Sequence, residues 1–543
     1  MLQEAIKSTA VAGATEPTAG PDGRWLLDRT PARGARGVLR SRKLCVGLLC
    51  LLVAVYVLNL TSAWTVGKDG ALYLLLGRNL AEGRGYTQAG IPHTHVVPGF
   101  PLMLAGLMKC GANDFLALNI AMGLMGLAVV ALSYLLLRTL VDRDWAMLGA
   151  ITVGLSQELV QRSGEIISDV PFMLLVVAGL WLLAGREAGR SALPRWLIGA
   201  VLLAAACWVR LPGVPLAIGA AVGLVLANWR RARLPAVVSA AAGILLVAAT
   251  MVTLTYFFRT ATDPTAATYS EPISKLRDVA GMPAHVMENL LFAAGQLSRL
   301  LTTQRMPEWL CAAVLVVPIV AAMIARARRG EWVTVLATAC YVGGLLVATL
   351  KVRTRYLLPI SPLLVMYFLE GWAIIALAAG GRMTRLRQIR WDRARDVAFG
   401  LAVVMVLMNL VLVGRLVVRK HGDDYTVSQQ DGQWGYLPGA VEFLRSQPAE
   451  GSVIGPYAVG YLSRRPVPGI ARALVASRPD DAELTRLLTK WNAAFVVLDA
   501  EAHQPLHDRL REYLTERTGG TVYETGQVQI YAVACPAGSS PAP

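Results

Sequence analysis

Apolar runs of about 18 to 22 residues, long enough to cross a bilayer core as a helix, recur along most of the chain. They fall at 44–62, 115–137, 144–160, 167–184, 196–211, 213–228, 235–257, 309–325, 332–350, 356–378 and 397–417. The pattern predicts about eleven transmembrane helices, with Pro212 and Pro215 able to join two short spans into one kinked element. From about residue 419 no run is long enough to span. Short strand-like pieces (SVIGPY around Val453, AFVVLD ending at Asp499, QVQIYAV at Gln527–Val533) there alternate with helix-like ones, PGAVEFLRS from Pro438 and AELTRLLTKW ending at Trp491. The predicted fold class is a polytopic α-helical membrane protein with a small C-terminal α/β domain.

Composition agrees: 55% of the 543 residues are hydrophobic and 16% charged. The net charge of +16 needs no nucleic acid to explain it, because the basic residues gather in alternate loops. These clusters are Arg33 to Lys43, Arg138 with Arg143, Arg186 with Arg190 and Arg195, Arg230 to Arg233, Arg326 to Arg329, and Arg382 to Arg395. The positive-inside rule puts them in the cytoplasm, where they can touch anionic membrane lipids. The N-terminus is then cytoplasmic, and the loops 63–114 and 259–308 and the domain 419–543 are extracytoplasmic, on a multi-pass body (44–418) in the cell's inner membrane. Residues 1–43, rich in Gly, Ala, Pro, Thr and Arg, read as a disordered basic tail, because the first span is too deep and too long for a cleaved signal. Among the cysteines only Cys110 and Cys535 would share an oxidising space. With no P-loop, no GxGxxG and no internal repeat, an ATP-driven pump is disfavoured.

The segment KDGALYLLLGRNLAEGRGYTQAGIPHTHVVPGFP, Lys68 to Pro101, is too polar for an ordinary loop beside a span, and Asp69 is its first candidate. Lys351, Arg353 and Arg355, followed by Tyr356, crowd another outer loop against the positive-inside trend, and Arg210 closes the outer end of a span. Glu165 and Asp169 also lie at a span end; a carboxylate so close to hydrocarbon needs a partner or a polar cavity, so Asp169 either pairs with Arg210, orients a ligand, or caps the helix ahead of Pro171. His93 and His95, two apart, would share a strand face but lack a third ligand; a divalent metal is the weaker reading and no cofactor is implied. Arg78, Glu82 and Tyr86 recur at helical spacing, predicting an interfacial amphipathic helix or a ligand-contacting face, and the apolar stretch 99–108 is too short to span.

In order along the chain, DGALY (Asp69–Tyr73), RNLAEGRGY (Arg78–Tyr86), VPGFPLML (Val97–Leu104), SDVPFMLL (Ser168–Leu175) and TRYLLPISPLL (Thr354–Leu364) carry a family resemblance. The chain resembles the GT-C membrane glycosyltransferases, in the branch of lipid A aminoarabinose transferases, protein O-mannosyltransferases and lipopolysaccharide-sugar transferases. The resemblance implies transfer of a sugar from a polyprenyl-phosphate donor to a lipid, glycan or protein acceptor at the outer face, with inversion. One departure stands out: those enzymes usually open the loop with two acids, whereas Gly70 follows Asp69 here, which weakens any role resting on an acidic pair, metal binding included.

Inverting transfer needs a base for the acceptor hydroxyl and cations for the departing phosphate. Asp69 is assigned the base; the competing reading is an N-cap of a helix starting at Ala71. Arg355, Arg210, Lys351, Arg353 and Tyr356 are assigned to the donor phosphate, against snorkelling to lipid headgroups. Tyr73, Arg78, Glu82, Tyr86, His93, His95, Glu165 and Asp169 are the remaining substrate-binding candidates. The rival classes are a transporter or flippase of lipid-linked sugars, which would hold ionisable groups at mid-span, and a non-catalytic envelope-polysaccharide assembly protein.

Overall fold

A computed structural model describes residues 42–61, 68–88, 91–93, 96–185, 192–230, 232–260, 282–301, 307–347, 352–379, 387–421, 437–447, 451–455, 457–465, 481–490, 492–499, 505–518, 520–525 and 528–533. The N-terminal tail, His95, Lys351 and Cys535 lie outside them.

The chain opens with α1 (Arg42–Leu58) and α2 (Lys68–Ala81), then a small antiparallel hairpin of β1 (Thr87–Gln88) and β2 (Ile91–Pro92). It continues through α3 (Gly99–Lys109), α4 (Phe115–Leu140), α5 (Arg143–Gly154), α6 (Gln157–Ser163), α7 (Asp169–Ala184), α8 (Leu193–Val209), α9 (Gly213–Asn228), α10 (Arg233–Thr260) and α11 (Met282–Leu301). Next come α12 (Glu308–Cys311), a π turn at Ala312–Val316 and α13 (Val317–Arg328), followed by α14 (Trp332–Val347), α15 (Thr354–Leu357), a 3-10 turn at Leu358–Ile360, α16 (Ser361–Ala379) and α17 (Arg387–His421). Among the described residues, five helical stretches are long and apolar enough to cross a membrane, Phe115–Leu140, Arg233–Tyr256, Trp309–Arg328, Thr354–Ala378 and Ala394–Val418, and six shorter apolar helices accompany them.

Each predicted span falls on helix, but two readings change. The run 144–160 is broken: Leu155 ends α5, and the Ser156 hydroxyl accepts the Leu159 N–H to start α6. Pro212 and Pro215 do not kink one helix, because Arg210 takes an extended backbone that ends α8, and α9 begins anew behind Pro212.

Two further differences concern the segment after α1. Helix α2 starts at Lys68, so Asp69 sits inside its first turn instead of capping a helix that begins at Ala71. The helical spacing of Arg78, Glu82 and Tyr86 does not extend past Ala81: Gly83 and Gly85 take φ of 77° and 76°, a left-handed geometry that stops the helix and turns the chain into the hairpin.

Close approaches fix α2 and α3. A Cβ on Gly77 would meet the Leu104 side chain at 2.9 Å, where α2 lies against α3, and one on Gly99 would fall 2.4 Å from the Trp208 carbonyl oxygen, where α3 meets the end of α8. Only glycine allows backbones to come this near.

After α17 lie α18 (Leu437–Ser446), β3 (Ser452–Ile454), α19 (Tyr457–Ser463), α20 (Asp481–Lys490), β4 (Ala493–Asp499), α21 (Pro505–Thr518), β5 (Tyr523–Thr525) and β6 (Val528–Ala532). The sheet order is β3-β4-β6-β5, with β3 parallel to β4 and the other pairs antiparallel. Strand β4 alternates with period two. Val496 and Leu498 pack with Leu484, Leu488, Leu510 and Leu514, while Phe495 and Val497 belong to the apolar core that runs on into the helical body. Both faces of the sheet are therefore covered.

Candidate active site

The site is assembled at the ends of four elements. Asp69 and Tyr73, one helical turn apart, share a face of α2. The Ser168 hydroxyl, at the N-terminus of α7, donates to the Tyr73 hydroxyl at 3.4 Å, and the Tyr73 ring meets Phe100 edge-on at 5.0 Å. Burial pushes the Tyr73 phenol above its ordinary range, with Arg210 pulling the other way, so it stays neutral at physiological pH and keeps a proton to donate.

Asp169 opens α7, where Pro171 is tolerated in the first turn. Its side chain is 1% exposed and ion-paired with Arg210 at the C-terminus of α8. This pair joins two helix ends across 41 positions of sequence.

Arg355 stands in α15, whose start is tied down by the Thr354 hydroxyl donating to Gln296 of α11 at 2.8 Å. Its guanidinium lies 5.2 Å from the Tyr356 ring centroid, and Arg210 lies 5.1 Å from the same centroid, so one tyrosine ring serves two cations. Tyr356 is held by its own backbone: the Tyr341 hydroxyl donates to its carbonyl at 2.7 Å, and its N–H donates to the Arg353 carbonyl at 2.9 Å. Arg355 Nη1 faces Asp69 Oδ2 at 3.6 Å, with Asp69 59% exposed. That separation is an ion pair without a hydrogen bond. The Arg355 Nε is buried and has no hydrogen-bond partner among the described residues, and neither does Asp169 Oδ2.

The remaining candidates divide. Glu165 is buried and belongs to a chain of contacts beside α7: Arg162 donates to Glu165 at 2.7 Å and to Glu158 at 2.9 Å, and Gln161 donates to Glu165 at 3.0 Å. His93 is buried against Gln88 at 3.1 Å and edge-on to Tyr86 at 5.7 Å, while the Tyr86 hydroxyl donates to the Val96 carbonyl at 2.9 Å; these side chains bind the hairpin to itself. Glu82 pairs with exposed Arg84. Arg78 points at the C-terminal unit, donating to the Tyr461 carbonyl at 2.7 Å. Arg353 is exposed at the start of α15. Among the described residues, no three His, Cys, Asp or Glu side chains are grouped to hold a metal ion.

Sequence reasoning did not single out Ser168, Tyr341 or Arg162. A lone tyrosine in the outer half of an otherwise apolar run was the available signal for Tyr341; Ser168 and Arg162 carry none apart from their neighbours.

No family model matches this sequence, and no curated protein does. The architecture is more telling. ArnT from Cupriavidus metallidurans bound to undecaprenyl phosphate superposes with a TM-score of 0.55 over 92% of this chain and 100% of its own, at 15% identity. The chain has a GT-C fold. The archaeal oligosaccharyltransferase AglB from Archaeoglobus fulgidus, in complex with an inhibitory peptide and a dolichol-phosphate, superposes with a TM-score of 0.50 over 87% of this chain and 71% of its own, at 12% identity. At these identities the likeness concerns the fold, and in this GT-C fold the two ion pairs, Asp69–Arg355 and Asp169–Arg210, meet around the Tyr356 ring.

Proposed function

We propose that this protein is an integral-membrane glycosyltransferase that moves a sugar from a polyprenyl-phosphate donor to an acceptor at the extracytoplasmic face, with inversion. The observation that carries the reading is the exposed Asp69 carboxylate opposite a half-buried, incompletely bonded Arg355 at 3.6 Å. A general base must reach solvent and acceptor, and a phosphate-binding cation must keep donors free. The GT-C fold, and the polyprenyl phosphates named with ArnT and AglB, support a lipid-linked donor.

In the proposed reaction the acceptor hydroxyl oxygen forms a bond to the anomeric carbon while the bond from that carbon to the phosphate oxygen breaks. The bonding pair leaves on the phosphate, and Asp69 takes the hydroxyl proton. Arg355 offers its unpartnered Nε–H to the departing phosphate, with the exposed Arg353 beside it and the Tyr356 ring holding Arg355 and Arg210 in place. Tyr73, on the same face of α2 as Asp69, lies on the sugar side, and the enclosed Asp169 holds Arg210 behind it. About eleven spans, a cytoplasmic N-terminus and an extracytoplasmic α/β domain at 419–543 complete the reading, supported by the six basic clusters on one side of the topology.

The test is direct. Purified protein in detergent, given a radiolabelled polyprenyl-phosphate sugar and a crude envelope acceptor fraction, is expected to consume the donor, and the Asp69→Asn protein is not. A donor left intact by the wild-type protein overturns the proposal.

A further inference from the structure

Arg78 stands on α2 nine residues beyond Asp69, about 14 Å along the helix axis. Its Nη1 donates to the Tyr461 carbonyl at 2.7 Å and its guanidinium carbon lies 4.6 Å from the Tyr461 ring centroid. The two residues are 383 positions apart, and α19 packs along α2 at this point. Tyr461 lies in the last turn of α19, whose carbonyls have no further helical N–H to meet; a cation there satisfies them and suits the helix dipole. Arg464, next beyond the helix, takes a left-handed φ of 60°, and its N–H shares the same carbonyl at 3.4 Å.

Helix α19 is itself strapped to the rest of the C-terminal unit. Arg445 of α18 donates to the Leu462 carbonyl at 3.1 and 2.7 Å, and Arg465 donates back to the Leu444 and Gln447 carbonyls, each at 2.9 Å. Phe443 of α18 then meets Phe495 of β4 edge-on at 6.4 Å. A continuous mechanical path thus runs from the sheet through α18, α19 and Arg78 into the helix that carries Asp69.

We propose that Arg78 and Tyr461 form a latch by which the C-terminal unit fixes α2 and so holds Asp69 at its distance from Arg355. Arg78 is then a positioning residue, not a sugar ligand. The idea rests on the reading of Asp69 as the base, and it makes a distinctive demand: Tyr461 contributes both its ring and its carbonyl, of which Tyr461→Leu removes only the first.

The experiment is a double-mutant cycle on the full chain with two readouts, donor turnover and amide hydrogen exchange of residues 68–81. Arg78→Met is expected to lower kcat about tenfold, as small misplacements of catalytic groups do, and Tyr461→Leu, which removes the ring but keeps the carbonyl, by less, with donor KM within about twofold of wild type in both. The double variant should lose no more than Arg78→Met alone, and Arg78→Lys should recover part of the loss. Exchange along α2 beyond its first turn, where the amides have intrahelical acceptors, should quicken in both single variants. Independent, multiplying losses in kcat overturn the latch. So does an Arg78→Met variant whose donor KM rises with kcat unchanged, which would make Arg78 a ligand contact, and so does exchange that quickens only in the C-terminal unit. The exchange readout needs no substrate. A wild-type protein that transfers no sugar would therefore sink the transferase reading while leaving the latch to be judged on exchange.

Discussion

At one end of the bundle Arg326 is wholly buried between Glu370 and Glu331, with Arg329 against the same two acids at 3.5 and 3.8 Å; at the other, Arg355 stands 3.6 Å from an Asp69 that is 59% exposed. Both are Arg–carboxylate contacts in a largely apolar molecule, yet they are built to opposite specifications. Arg326 also reaches the Leu140 carbonyl at 3.4 Å, and Glu370, midway along α16, is 1% exposed. Charges removed from water this completely must be paired, since the desolvation cost of an isolated one is several kcal/mol. Network and helices then hold each other in place. The Asp69–Arg355 contact is too open and too loose to hold helices together. Its geometry suits a partner that arrives from outside.

That contrast predicts which measurement each substitution should move. The largest effect belongs to Asp69→Asn, which keeps shape and removes the proposed base: turnover should fall by about 10²- to 10⁴-fold. The melting temperature in detergent should be unchanged, because the side chain is exposed and its contact loose. Normal turnover, or unfolding, would erase the distinction between the two ends.

Arg326→Met should do the reverse. It leaves Glu370 buried without its main partner, and breaking a buried pair costs about 3–5 kcal/mol. A large drop in melting temperature is expected, and Arg326→Met with Glu370→Leu should recover much of it, since an apolar pair of similar bulk needs no desolvation. A single variant as stable as wild type would show that the network contributes nothing to the fold.

The two ends also differ in how readable they were. The apolar helices follow from run length, which is a one-dimensional signal. The motif around Asp69 stood out because polar residues were dense where a membrane protein has little reason to place them. The Arg326 network escaped notice because Arg326 and Arg329 were absorbed into a basic cluster, although Glu370, a lone acid within an apolar run, was itself a demand for a partner. Helix-level periodicity misled at Glu82 and Tyr86, where Gly83 and Gly85 override it. The shared Tyr356 ring was out of reach, since it depends on α8 and α15 ending at the same place in space.

Asp169→Asn asks whether location or enclosure governs the outcome. Asp169 lies within the candidate site but is enclosed like Glu370, paired with Arg210 and 1% exposed. If enclosure decides, the variant should lose about 3 kcal/mol of stability in a melting experiment, as a broken buried pair does, with turnover falling because Arg210 is freed to shift under the Tyr356 ring. A variant that melts normally and fails only in catalysis would move Asp169 to the same class as Asp69.

The smallest effect is expected from Arg355→Lys, and it probes the open pair from the cationic side. Lysine keeps the charge opposite Asp69 but replaces a planar fork by a point charge, and it cannot lie over the Tyr356 ring while directing paired N–H groups at a phosphate. Loss of one charge-assisted hydrogen bond costs about 1.5 kcal/mol, so the donor KM should rise roughly tenfold with kcat little changed. Because Arg355 is partly exposed, what remains of the attraction should also weaken as ionic strength rises, whereas the melting of the Arg326 network should respond far less to salt. Donor kinetics indistinguishable from wild type would mean that Arg355 interacts with lipid headgroups and not with the donor, and the open pair would then lose its claim to be the phosphate end of the site.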